Sequence, residues 1–133
     1  MPMPRIFAFA ALAIALAGCA AQQSALEDEI EPWEQARVVG EAESCVSLTR
    51  IRDTIVRDDR TIDFEMVGGE TYRNTLPAPC PGLRAERSFA YETSLSRLCS
   101  TDIITVLRQP ISAGANGPRC GLGAFVPVEL PNG

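Results

Sequence analysis

The sequence predicts a mainly β protein: a small antiparallel barrel or curled sheet of about six short strands, held together by disulfides. Three observations carry this. Ile62, Phe64 and Met66 alternate with Asp63 and Glu65, the period-2 pattern of a half-buried strand. Turn-forming clusters, Asp58-Asp59 and Gly68-Gly69, bracket that run, and similar breaks recur along the chain. Four cysteines, Cys45, Cys80, Cys99 and Cys120, are scattered through the same region with no two close enough for a CxxC pair.

Taken in order, the stretch 46–57 is the first strand, and it bends, because Val46 and Leu48 are out of phase with Ile51 and Ile55. The alternating run ending at Met66 is the second, and residues 71–76 return as the other arm of a hairpin. A loop rich in proline follows, with Pro77, Pro79 and Pro81 around Cys80. Residues 89–93 form the fourth strand. Ile103, Ile104, Val106 and Leu107 mark a central strand in 102–107, and residues 114–123 read as a glycine-rich loop. Residues 125–128 make a last strand, and Pro127, which lacks an N–H, places it at an edge.

The four cysteines allow three pairings. If strands alternate up and down in a simple meander, Cys45 and Cys99 lie at one end and Cys80 and Cys120 at the other. That favours Cys45–Cys99 with Cys80–Cys120. Each bridge would close a long loop and stabilise by roughly 2–4 kcal/mol.

The chain of 133 residues begins differently. Arg5 and the amino terminus give a weakly positive start, and residues 6–17 are an apolar run of 12. That length suits a signal-peptide core and falls short of the roughly 20 residues of a spanning helix. The run ends in Leu16-Ala17-Gly18-Cys19. This resembles the lipobox of bacterial lipoproteins: small residues enter a peptidase in extended form, and the Cys19 thiol takes diacylglycerol. The resemblance implies cleavage before Cys19, acylation including palmitate, and a membrane partner held through lipid. Ala20 stands where the sorting rule of enteric bacteria places Asp for retention at the inner membrane. By that resemblance the destination is the outer membrane, with the domain facing the periplasm.

The expected organisation is a signal peptide over 1–18, an acidic tether over 19–44 with a possible short helix, and a β-rich domain over 45–133. Residues 27–43 hold seven acids and one Arg, a charge of −6, whereas 44–133 hold ten of each. Ser24 to Glu27 has capping-box spacing, and Pro32 suits the first turn of a helix beginning near Glu31. Trp33, Val38 and Val39 are candidates to dock on the domain. A free tether of about 25 residues would reach up to ~80 Å when extended.

Five segments together are similar to an uncharacterised family of short proteobacterial envelope proteins, many of them lipoproteins, grouped as a domain of unknown function. They are 56–64, 68–76, Cys80-Pro-Gly-Leu83, 98–106 and 120–125. The likeness spans about 45–128. It implies a shared fold and an exported life, and it brings no activity.

Composition narrows the chemistry. The chain has no His and no Lys, and all 12 basic residues are Arg. His-based catalysis, His metal ligation and Lys Schiff bases are excluded, and Ser47, Ser88, Ser94, Ser96, Ser100 and Ser112 lack an activating base. A formal charge of −5 with no basic face does not suit nucleic acid. Asp58, Asp59, Asp63 and Glu65 lack EF-hand spacing and read as a turn and a solvated strand face, so no metal and no cofactor is expected. Tyr72, Arg73 and Asn74 are a possible contact patch, with Tyr72 and Asn74 on one face and Arg73 on the other. The expectation is an accessory or binding lipoprotein without enzymatic activity, meeting an envelope protein. The alternatives are a small-molecule or metal-ion binding module, an inhibitor of an envelope hydrolase, or a hydrolase acting through carboxylates alone. Burial of Asp58, Asp59 or Asp63 beside another acid in a cleft would favour the last.

Overall fold

A computed structural model describes residues 30–93, 95–109 and 116–131. The expected signal peptide, Cys19, the Ser24–Glu27 cap, Ser94 and Ser112 lie outside the described residues. The fold is mainly β and antiparallel, as expected, but the described strands do not close into a barrel. They form three sheets, of five, three and two strands.

The strands are β1 (Arg37–Val38), β2 (Cys45–Ser47), β3 (Ile51–Val56), β4 (Thr61–Met66) and β5 (Thr71–Thr75). They continue with β6 (Phe89–Tyr91), β7 (Arg97–Cys99), β8 (Ile103–Leu107), β9 (Asn116–Gly121) and β10 (Phe125–Glu129). The sheets run β1-β10-β5-β4-β3, β6-β8-β9 and β2-β7. One short helix, α1 (Leu83–Glu86), follows the proline-rich loop.

The expected first strand is indeed bent. A 3-10 turn at Leu48–Arg50 splits it into β2 and β3, which corrects the phase between Val46 and Ile51 and sends the halves to different sheets. The β4–β5 hairpin follows the sequence pattern. Gly68 and Gly69 take φ of +108° and +96°, a conformation cheap only for glycine, and Met66 N–H closes the turn on Glu70 O at 2.8 Å.

Three expectations are corrected. Part of the 114–123 loop is strand β9, which pairs with β8, and it is β9, ending its sheet, that carries an edge proline, Pro118. Pro127 is not at an edge, because β10 lies between β1 and β5. Its carbonyl accepts from Val39 N–H at 3.0 Å, so its ring nitrogen faces β1, where it has no N–H to return. The β1 ladder stops there after two residues, and the β5 side is undisturbed. The third correction concerns the tether. The compact unit that contains the β-rich part begins at Glu31, ahead of Cys45. Pro32–Gln35 is a 3-10 turn at the expected helix start, with Glu31 N–H donating to Glu34 Oε2 at 2.9 Å. Backbone bonds exchanged between Glu43 and Phe125 add a bridge to β10. Val38 and Val39 dock through their backbones, and their side chains stay exposed.

All three sheets contribute to one core, with Val46 from β2, Ile62, Phe64 and Met66 from β4, Leu98 from β7, Ile104 and Val106 from β8, and Phe125 from β10. Phe64 and Phe125 meet edge to face with ring centres 5.4 Å apart. Both disulfides are present, Cys45–Cys99 and Cys80–Cys120, in the pairing favoured above. The reason is not the simple meander. Cys45 and Cys99 face each other across the β2–β7 ladder, while Cys80 ties the loop before α1 to β9.

Candidate functional site

Strand β4 is buried on both faces. The apolar side chains of Ile62, Phe64 and Met66 fill the core, yet Asp63 on the opposite face is also fully buried. The expected solvated face is thus corrected. The side chains of Arg57 and Arg73 bind Asp63 there, and Trp33 meets Arg73 from the far side of the pair.

Asp63 stands directly across the β4–β5 ladder from Arg73. Arg73 Nε donates to Asp63 Oδ1 at 2.7 Å and Arg73 Nη2 to Oδ2 at 2.9 Å, a two-pronged contact. Arg57, just past the end of β3, adds Nε to Oδ2 at 2.8 Å. Arg73 uses Nη1 to bind the Trp33 carbonyl at 2.8 Å, and its guanidinium lies 5.4 Å from the centre of the Trp33 ring. One carboxylate, two half-buried guanidiniums and the sole tryptophan therefore make a single cluster. The signal for Asp63–Arg73 was in the sequence: centring the hairpin on Gly68 places residue 63 opposite residue 73. The contributions of Trp33 and Arg57 come from chain segments whose approach no local pattern reveals.

Beside this cluster lies a cleft of about 380 Å³, lined by Trp33, Glu34, Arg57, Asp58, Arg84 and Arg87 among others. Helix α1 presents the last two arginines on a rigid mount. Leu83 is buried, Arg84 N–H donates to Asp59 Oδ1 at 2.8 Å, and Cys80 N–H donates to Asp59 O at 2.6 Å. Arg87 ends the helix at φ 53°, the one non-glycine residue with positive φ among those described, and its N–H bonds Leu83 O at 2.8 Å. Such a backbone costs a non-glycine residue roughly 1 kcal/mol. Among the described residues, neither Arg84 nor Arg87 forms an ion pair. Two larger depressions, of about 550 and 580 Å³, lie along β6-β8-β9 near Tyr91, Ile103 and Arg119, and along the outer sheet near Val39, Glu70 and Pro127.

The other sequence candidates are distributed as follows. Asn74 is not a contact residue: it is fully buried, and its side-chain amide pairs with the backbone of Gly123 through bonds of 2.7 and 2.8 Å. Arg73 is committed to Asp63 and Trp33. Tyr72 is half-buried, and its hydroxyl donates to Glu43 Oε1 at 3.4 Å. Burial, then the Glu43 carboxylate, push this phenol above its ordinary value. Tyr72, Arg73 and Asn74 are therefore not one patch. Asp58 and Asp59 order turns, Asp58 by accepting Arg60 N–H at 2.8 Å. Asp63 is buried beside arginines, with its oxygens occupied by three N–H donors, and not beside a second acid. Among the described residues, no group of three or more potential metal ligands assembles.

No family model matches the chain, and no curated protein or solved structure matches it either. The family resemblance set out above thus stands as an expectation.

Proposed function

We propose that this chain is an exported lipoprotein, cut before Cys19 and anchored by acyl chains there, whose folded part is a non-enzymatic binding module of the bacterial envelope. One observation carries the reading. The four cysteines of 45–133 bond to one another in two disulfides, an oxidising-compartment feature, and the fifth cysteine sits at the end of an apolar leader in lipobox context. The likeness to proteobacterial envelope proteins of unknown function and the Ala20 sorting position support the same compartment, with the outer membrane as the destination.

The working surface in this reading is the cleft between residues 31–34 and α1. It gathers Trp33, Arg57, Arg84 and Arg87, the residue types that dominate binding hot spots. Glu31, Glu34 and Asp58 balance the charge of the three arginines, which suits a protein surface of mixed charge better than a polyanion. The test is photo-crosslinking in living cells from a probe placed at Arg87, with a second probe at Thr54 on the exposed β3 edge as control. A partner captured from position 87 and not from 54 is expected. Capture from 54 alone would put the working surface elsewhere.

A further inference from the structure

The two disulfides are unlike in a way that assigns them different chemistry, and the geometry points to Cys45–Cys99 as a thiol–disulfide exchange site, with Cys80–Cys120 as the permanent staple. Cys45 and Cys99 are direct partners on neighbouring antiparallel strands. Their Cα atoms are 4.0 Å apart, below the usual range of about 4.4–6.8 Å, whereas those of Cys80 and Cys120, 5.9 Å apart, fall within it. Bridging two directly opposed strand residues pulls the backbones together, and opening the bond lets them relax.

Access and leaving-group chemistry agree. Cys45 and Cys99 are both half-buried, so neither end of this bond is sealed in the core. Cys80 is fully buried among Leu76, Leu83 and their neighbours. Attack on its partner Cys120 would have to expel a Cys80 thiolate into apolar surroundings, where the charged form is disfavoured. The setting differs as well. Strands β2 and β7 pair over only three residues and hydrogen-bond to no other strand of the described residues, whereas the Cys80 bridge is framed by α1, β9 and the core. Cys45 and Cys99 are the end pair of their ladder and can part while Val46 and Leu98 stay in the core, whereas Cys80 is itself a core residue.

The reactant is a dithiol, either a CxxC-type oxidoreductase or a small dithiol. One thiolate attacks a sulfur of the Cys45–Cys99 bond. A mixed disulfide forms as the old bond breaks, and the electron pair leaves on the other cysteine. The second thiol of the reactant then resolves the mixed disulfide. The reactant ends as a disulfide, and two electrons and two protons pass to Cys45 and Cys99. The same steps reversed restore the bond. None of this depends on the lipid anchor, so the anchor and the exchange site fail separately.

The oxidised full chain is equilibrated in buffers of graded reduced and oxidised dithiothreitol, trapped with an alkylating agent, and mapped by peptide mass. Trp33 fluorescence is followed in parallel. The expectation is that Cys45 and Cys99 are alkylated at a ratio at least tenfold less reducing than Cys80 and Cys120, about 30 mV for a two-electron couple, with native fluorescence kept. Opening of Cys80–Cys120 first, equal midpoints, or opening of Cys45–Cys99 only with loss of the native fluorescence would each overturn the proposal. Because the native chain is measured, no variant has to fold.

Discussion

At Asp63 the backbone supplies a position on the covered side of β4, and three guanidinium N–H groups fill the carboxylate. Such a buried ion cluster adds little beyond what a well-packed apolar layer would give, but breaking it strands a charge. Asp63→Asn should therefore cost roughly 3 kcal/mol, read as a lower urea midpoint at unchanged slope. A change under about 0.5 kcal/mol would mean the cluster is not formed in solution. Tyr72 makes a smaller, signed contribution. Its folded value is raised, so the neutral phenol is favoured in the folded state. That stability is fully present below about pH 10 and is lost as the pH climbs through the folded value. Tyr72→Phe should flatten the alkaline limb of the stability profile and leave the neutral region nearly level; an unchanged alkaline limb would place Tyr72 in water.

Among the elements, β5 is tied to the loop before β10 by the Asn74 amide, which imitates a backbone pair with Gly123. A Cβ at Gly123 would overlap the Thr75 carbonyl, so the approach requires glycine. Asn74→Ala should cost about 2 kcal/mol through the two lost bonds, and Gly123→Ala at least 1 kcal/mol through overpacking, both by urea titration. Here the limits of the sequence are plain. Alternation located β4, and two glycines located its hairpin, because both signals are local. The phase break before Ile51 announced the bend in the first strand. Nothing local announced β7, which has three residues, or β9, whose Gly and Pro read as a loop, or the burial of Asp63, since Arg57 and Trp33 come to its cluster from other segments. Asp63 therefore read as a solvated acid, and Asn74 as a contact residue, when both are interior. The cysteine pairing was reached from a meander, although the β2–β7 ladder is what creates one of the bonds.

For the whole molecule, docking of residues 31–44 changes the mechanics of presentation. Only residues 19–30 lie between the proposed anchor and the folded part, and fully extended they reach at most ~40 Å, half the span of a free tether to Cys45. The acidic segment is accordingly a short spacer joined to a strap, and Arg73 fastens the strap through Trp33. Arg73→Ala should loosen it, seen as a red shift of the Trp33 emission and faster amide exchange in β1, with β8 unaffected; unchanged emission would mean the strap is held elsewhere. The central claim is that Cys19 carries lipid. Its most direct test is intact and peptide mass analysis of the full chain recovered from the membrane fraction of expressing bacteria. Processing at the lipobox would yield an N-terminal peptide that begins at a diacylglyceryl-modified, acylated Cys19, absent in Cys19→Ser. A chain beginning elsewhere with an unmodified Cys19 would contradict it.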